Sequence, residues 1–110
     1  MRTASFLGDS RERPREFPPD ARGALGVELL RVQTGLEPND RKPTRTIGPG
    51  VREIRARVPS GAFRVAYVLV AGERVLVLHA FEKRSEKTPR RDLDLAARRL
   101  RAWRGSDDAG

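Results

Sequence analysis

The sequence predicts a single domain of the α+β class, with N-terminal helices, a twisted antiparallel sheet of three to four strands and a C-terminal helix. Three observations predict this order. Apolar residues recur at helical spacing in the first third of the chain, strand-like segments follow one another closely after residue 50, and a capped amphipathic segment begins near residue 88. A chain of 110 residues builds one domain with a modest core. We place this domain at residues 1–104.

The N-terminal part is predicted to hold a short strand and a first helical segment. Arg2 to Leu7 forms the opening strand, and Asp9 or Ser10 caps a helical segment that Pro14 interrupts.

A longer helix is predicted from Pro19 to Thr34. Pro19 suits the first helical turn, and Gly35 suits the end of the helix. The apolar residues that recur at helical spacing are Ala21, Leu25, Leu29 and Val32.

A loop is predicted from Leu36 to Gly50, because this segment is rich in proline, glycine, asparagine and aspartate. A loop of this length in a small domain is usually functional or mobile. It is also basic, since it contains Arg41, Lys42 and Arg45.

Three consecutive strands follow, at Val51 to Val58, Ala62 to Val70 and Arg74 to Phe81, with turns at residues 59–61 and 71–72. The second and third are apolar on both faces, as expected for central strands. The first strand alternates, with Ile54, Ala56 and Val58 on one face and Glu53, Arg55 and Arg57 on the other.

The last helix has the clearest start, because Thr88 is a good N-cap and Pro89 suits the first helical position. Its apolar stripe consists of Leu93, Ala96, Ala97, Leu100 and Trp103, and its opposite face carries Arg91, Arg98 and Arg101. We expect the acidic tail at residues 105–110 to be disordered.

The charge balance favours a polyanionic partner. The chain carries 23 lysines and arginines against 15 acidic residues, a net charge of +8, and its isoelectric point is near 11.3. Such a field attracts nucleic acid, the ribosome or an acidic protein. Cysteine is absent, which excludes disulfides and thiolate metal sites, and no apolar run is long enough for a membrane span or a signal peptide. We therefore expect a cytoplasmic protein.

Sequence words between residues 50 and 99 resemble a known family. They are GVREIRAR, GAFRVAYVL and VLVLHAFEKRSEKTPRRDLDLAARR, and the pattern LHAF-x-K-x-x-x-KTP is the most specific. With TIGPG, FLGDS and REFP, they resemble the phage-derived, HigB-like branch of the RelE/HigB superfamily, the toxins of type II toxin–antitoxin systems. The resemblance implies a RelE-like fold, a helix-turn-helix antitoxin as partner, and cleavage of messenger RNA, usually on the ribosome.

The residues are compatible with metal-free RNA cleavage, in which the 2′-hydroxyl attacks the adjacent phosphorus. This reaction needs a proton acceptor, cations on the phosphorane and an acid for the leaving oxygen. Arg64 and Arg55 are the leading cations, since they lie on neighbouring strands joined by a hairpin and can clamp one phosphate. The resemblance implies a catalytic role for Arg64 in the word FRVAY. A solvent-exposed structural role is an equally good interpretation of Arg55 and Arg57.

Lys83 and Lys87 follow the last strand and complete the predicted catalytic set. A lysine beside other cations gives up its proton more readily, so either can hold a phosphate or transfer a proton. A solvated basic loop is the alternative. Further RNA contacts are expected from Arg57, Arg84, Arg45, Lys42 and Phe81, and we expect neither a metal nor another cofactor.

The general base is not evident from the sequence. RelE-like toxins have a late tyrosine near the site, and this chain has none after Tyr67. His79 is the one histidine, and its position among apolar strand residues favours a structural role.

Two hypotheses follow. One is an RNA endonuclease, favoured by the FRVAY and KTP words. The other is a non-catalytic basic module, favoured by the missing tyrosine, that docks an antitoxin, the ribosome or operator DNA. The toxin–antitoxin assignment implies contact with operator DNA only through the antitoxin complex.

Overall fold

A five-stranded sheet forms the centre of the fold in the part of the chain that the computed structural model describes, which is residues 1–37, 41–44, 46–71, 73–84 and 87–109. The elements, in chain order, are β1 (Thr3–Phe6), a 3₁₀ helix (Arg13–Glu16), α1 (Pro19–Gln33), β2 (Arg41–Pro43), β3 (Arg52–Val58), β4 (Gly61–Val70), β5 (Arg74–Lys83) and α2 (Arg90–Ala109). Across the sheet the strands lie in the order β1-β5-β4-β3-β2. The α+β class is confirmed, as are α1 and the antiparallel meander β3-β4-β5.

The sheet is mixed, which corrects the predicted antiparallel sheet of three to four strands. β1 runs parallel to β5, with Thr3 opposite Arg74 and Phe6 opposite Val77. β5 ends the meander with one edge unpaired, and β1 hydrogen-bonds to that edge and covers it. Strand pairing across some 70 residues leaves no local pattern, so the sequence indicates the strand but not its direction.

A short strand, β2, lies inside the segment that we predicted to be a loop. It pairs antiparallel with β3, where Pro43 is opposite Arg52. Proline is tolerated at the edge of a sheet because its missing N–H faces no partner strand. Residues 38–40 of the predicted loop lie outside the described residues.

Helix α2 continues to Ala109 and so extends into the segment that we expected to be a tail. Gly105 is not among the glycines with positive φ, so it does not adopt the left-handed conformation that commonly ends a helix. The division into a domain at residues 1–104 and a disordered tail at 105–110 stays a prediction. Neither α1 nor α2 is long and apolar enough, over its described residues, to cross a membrane.

The two helices cover opposite faces of the sheet. The face under α1 is apolar, and its buried residues are Ala21, Leu25, Val32, Ile54, Ala56, Phe63, Val65, Tyr67, Val75, Val77 and Ala80. The apolar core under α2 is smaller, and its buried residues are Ile47, Val51, Ala66, Val68, Leu76, Leu78, Ala96 and Leu100. The apolar core on the second face is therefore confined to the end of the sheet that α2 covers.

A β-bulge in β5 turns His79 toward α2. Ala66 is opposite His79 and Tyr67 is opposite Val77, so Leu78 has no counterpart on β4. Leu78 packs in the core under α2, and His79 hydrogen-bonds to a residue of α2, so both side chains lie on that face. A bulge re-aims the side chains beyond it in this way.

Four polar residues, Asp9, His79, Asp92 and Arg99, which we call the Arg99 cluster, hold α2 against β5 and the N-terminal segment. The Arg99 guanidinium donates to the Leu78 carbonyl at 2.9 Å and to Asp9 Oδ1 at 2.6 Å. Nε2 of the His79 ring lies 2.7 Å from Asp92 Oδ1, and its Nδ1 lies 3.5 Å from Arg99 Nη1. We therefore assign the ring proton to Nε2, so that it donates to Asp92.

Gly8 makes room for this arrangement. It has a φ of +55°, and a Cβ placed on it would lie 2.5 Å from Arg99 Nη2. Any side chain here would both strain the backbone and displace the guanidinium.

The Arg99 cluster shifts two pKa values. Burial lowers the pKa of His79 below its ordinary 6.5, and this outweighs the raising effect of the Asp92 carboxylate. The hydrogen bond from Arg99 lowers the pKa of Asp9. His79 is thus favoured in its neutral form and Asp9 in its charged form.

Leu25→Ala should lower the free energy of unfolding by about 2–5 kcal/mol, because Leu25 is 4% exposed and its loss leaves a cavity between α1 and the sheet. Leu30→Ala, in the same helix but at a position 52% exposed, should change it by less than about 0.5 kcal/mol. Urea denaturation measures both. Equal losses would show that α1 packs differently.

The free energy of unfolding should fall as the pH drops through 6.5, the ordinary value for His79. The unfolded chain then binds a proton that the folded chain resists, so the slope is positive and at most about 1.4 kcal/mol per pH unit. His79→Gln should flatten this slope in urea denaturation between pH 5 and 7. An unchanged slope in the variant would assign the pH dependence to other groups.

Candidate functional site

Four basic residues of β3, β4 and β5 meet on one face of the sheet. Arg55 is directly opposite Arg64, and Arg64 is directly opposite Phe81. Two residues before Arg64 on β4, Ala62 is opposite Arg57 on β3 and opposite Lys83 on β5. Directly opposite residues in antiparallel strands share a face. We call the set Arg55, Arg57, Arg64 and Lys83 the basic face.

The basic face adjoins the α2-side core and lies on the same side of the sheet. Ala66 and Val68 continue the same side of β4 and belong to the core under α2. None of the residues of the basic face belongs to that core. The sheet therefore has one surface whose two ends differ, the first covered by α2 and the second lined by cations.

Arg64 is the most buried member, with 3% of its surface exposed. Its Nη1 donates to the Phe63 carbonyl at 3.2 Å. Two like-charged residues at opposite positions repel, and the repulsion grows as water is removed. A bound phosphate would relieve it, because one anion can accept hydrogen bonds from both guanidinium groups.

Glu53 is a buried carboxylate on the same side of β3 as Arg55, and the sequence reasoning did not single it out. It is 2% exposed, and its Oε1 has no hydrogen-bond partner among the described residues. A buried polar atom of this kind is rare and requires an explanation. The alternating pattern of β3 places Glu53 on the same face as Arg55, but it does not reveal that the carboxylate is buried.

Phe81 is part of the core rather than an open platform. It is 2% exposed and stacks on His79, with ring centroids 5.3 Å apart and planes at 20°. The structural interpretation of His79 agrees with its place in the Arg99 cluster. Stacking of an RNA base on Phe81 stays a prediction.

The remaining predicted residues do not join the basic face. Lys87 is exposed in the connection before α2. Arg84 is exposed and donates to Glu82 Oε1 at 3.1 Å. Position 42 pairs with Glu53 along β2, but the Lys42 side chain and the whole of Arg45 lie outside the described residues.

A cleft of about 770 Å³ opens at the free part of the β5 edge, between the 3₁₀ helix and the start of α2. His79, Phe81 and Asp92 line it from β5 and α2. Its charged lining comprises Arg13, Arg84, Arg91 and Arg98 and the carboxylates Glu16, Glu82 and Asp92. Among the described residues, no group of three or more histidines, cysteines and carboxylates is placed to hold a metal ion.

Two solved structures with a similar fold come from an E. coli toxin–antitoxin system. The chain matches the intact E. coli RelBE toxin–antitoxin complex with a TM-score of 0.59 and 15% identity, covering 77% of this chain and 100% of that one. It matches a mutant of E. coli toxin RelE in the free state with a TM-score of 0.59 and 13% identity, covering 92% and 96%. These likenesses confirm the predicted RelE-like fold.

The family comparison concerns the sequence itself. No curated protein matches the chain significantly. Residues 14–101 match the family described as "Phage derived protein Gp49-like (DUF891)", which spans both arginine-bearing strands, the KTP word and most of α2. The phage-derived family that the sequence words indicate is thus confirmed, and the chain belongs to the phage-derived Gp49-like family.

Proposed function

We propose that this protein is the toxin of a type II toxin–antitoxin pair and that it cuts messenger RNA as a metal-independent endoribonuclease. The observation that carries the proposal is the pairing of Arg55 opposite Arg64 at one end of the sheet, with the more exposed Arg57 and Lys83 in the next row. Four cationic side chains on adjacent strands suit a phosphodiester better than a neutral substrate. The net charge of +8 supports binding to a polyanion.

In the proposed reaction the 2′-hydroxyl oxygen attacks the adjacent phosphorus and its proton leaves to a base. The bond from phosphorus to the 5′-oxygen breaks, and that oxygen takes up a proton. The products are a cyclic phosphate and a 5′-hydroxyl. Arg55 and Arg64 offset the negative charge that develops on the phosphorane oxygens. Lys83 and Lys87 hold the phosphate or transfer a proton.

The proposed partners follow from the fold and the charge. The similar E. coli structure is a toxin–antitoxin complex, and we propose that this chain likewise binds an antitoxin, of the helix-turn-helix class. A complex of that kind would contact operator DNA through the antitoxin. The basic surface suits docking on ribosomal RNA in the cytoplasm, where the messenger is translated.

A second candidate function is a basic binding module without catalysis. The observation that favours it is the burial of Arg64, which leaves only 3% of its surface exposed to a substrate. The absence of any tyrosine after Tyr67 points the same way. Under this hypothesis the basic face docks an antitoxin or the ribosome and cuts nothing.

Arg64→Ala should abolish growth arrest when the protein is expressed in bacteria, and the new messenger 5′ ends that accompany the wild type should disappear. Removing one donor to the transition-state charge slows cleavage by about 10²–10³-fold. Arg74→Ala is the matched control, because Arg74 is an exposed arginine at the other end of the sheet, where β5 begins. This control should arrest growth like the wild type.

Because Arg64 is buried, the melting temperature of each variant must be compared with the wild type. Arg64→Lys keeps the charge while it loses the bidentate fork, and should show weak cleavage with a nearly native melting temperature. Arrest without new 5′ ends would indicate ribosome blockade. Soluble wild-type protein that neither arrests growth nor generates ends would contradict the nuclease and leave the binding module.

A further inference from the structure

We infer that the cleft between the 3₁₀ helix and α2, together with the outer face of α2, binds the RNA strand that flanks the cut. This inference rests on the proposed function, since it assigns a path to the same substrate. The path is formed by Arg84 at the β5 end and by Arg91, Arg98 and Arg101 along the helix.

The cleft adjoins the basic face directly. Phe81 is opposite Arg64 in the sheet and also lines the cleft. Lys83 of the basic face and Arg84 of the cleft are consecutive residues at the end of β5. A strand bound at Arg64 that leaves the sheet over the β5 edge therefore enters the cleft without crossing an intervening element.

A second depression continues the path onto α2. It is lined by Arg91, Asp94, Ala97, Arg98 and Arg101, and it shares Arg91 and Arg98 with the cleft. Arg98 follows Arg91 by seven positions, or about two helical turns, so the two arginines lie about 10 Å apart along the same side of the helix. The two depressions thus meet at a pair of cations.

The arginines of α2 are available to an external anion. Arg91, Arg98 and Arg101 are exposed, and none forms an ion pair with another described residue. Two carboxylates of the cleft are occupied within the protein, because Asp92 binds His79 and Glu82 binds Arg84. Glu16 is the remaining carboxylate of the lining. The unpaired charge of the path is therefore positive.

The chemistry favours a sugar–phosphate chain over a protein segment. The unpaired groups are guanidinium forks, which bind phosphate bidentately, and they continue from the surface proposed to hold the reacting phosphate. An antitoxin segment that filled the same cleft would need acidic side chains and an apolar anchor. Phe81 is buried and stacked on His79, so the apolar wall open to such an anchor consists of the partly exposed Phe17, Pro89 and Leu95, while the charged wall is mainly cationic.

The test uses the double variant Arg91→Gln/Arg98→Gln and a matched double variant, Arg22→Gln/Arg74→Gln. The control arginines are exposed and form no ion pair with another described residue, and they lie on α1 and at the start of β5. The probe is a fluorescent dodecanucleotide of 2′-O-methyl RNA, which cannot be cut by attack of a 2′-hydroxyl. Its affinity is measured by anisotropy at several salt concentrations, and both variants are checked by thermal melting.

The α2 variant should bind the probe about tenfold more weakly than the wild type, and the slope of log affinity against log salt should shrink by about 1.4, the value for two lost phosphate contacts. The control variant should lose less than about twofold. Equal losses in both variants would overturn the inference, because they would indicate diffuse attraction. So would unchanged RNA binding in the α2 variant, or RNA binding that is absent in the wild type.

The cleavage experiment separates this inference from the proposed function. If the wild type binds the probe through α2 but generates no new messenger ends in cells, the path stands and the nuclease fails. If the wild type cuts messenger and the α2 variant binds like the control, the nuclease stands and the path fails. A variant that loses the copurifying antitoxin but keeps RNA affinity would assign the cleft to the protein partner and overturn the inference.

Discussion

The position of α2 depends on one guanidinium group. Arg99 joins three segments that are distant in sequence, because it donates to the Leu78 carbonyl on β5 and to the Asp9 carboxylate near the N-terminus while it extends from α2 itself. His79 and Asp92 add a second bond between β5 and the helix. Partly buried, charge-assisted hydrogen bonds have a fixed geometry, so they determine where the helix lies more sharply than apolar contact alone. Gly8 has no side chain where the guanidinium must lie.

Helix α2 covers one end of this sheet surface, and the four cations of the basic face lie at the other end. Like-charged residues at opposite positions oppose folding, and Arg55 and Arg64 are such a pair. The buried carboxylate of Glu53, two residues from Arg55 on the same strand, supplies opposite charge on the same side of the sheet.

The sequence predicted the parts of the fold that rest on local patterns. Helical spacing and flanking proline and glycine located α1, alternation and turn residues located β3 to β5, and the sequence words indicated the family. The opposition of Arg55 and Arg64 followed from a hairpin whose turn could be read. The direction of β1 and the role of Arg99 could not be read, because their partners lie far away in the chain. The strand β2 and the bulge at Leu78 have nearby partners, but β2 lies in a segment rich in turn residues and the bulge has no local sequence signal. The burial of Glu53 and Arg64 could not be predicted either, because it depends on how the assembled fold covers the sheet.

The pairing of the first strand with the last has a consequence for the timing of folding during synthesis. The edge to which β1 pairs does not exist until residues 74–77 have been made. Arg99, which binds Asp9, follows it in the chain by 90 residues. Contacts between such distant residues form slowly, because a long loop must close first. A growing chain therefore lacks its complete sheet surface until the last strand, Arg74–Lys83, has been made. The basic face, whose last residue is Lys83, therefore forms only after β5 has joined the sheet.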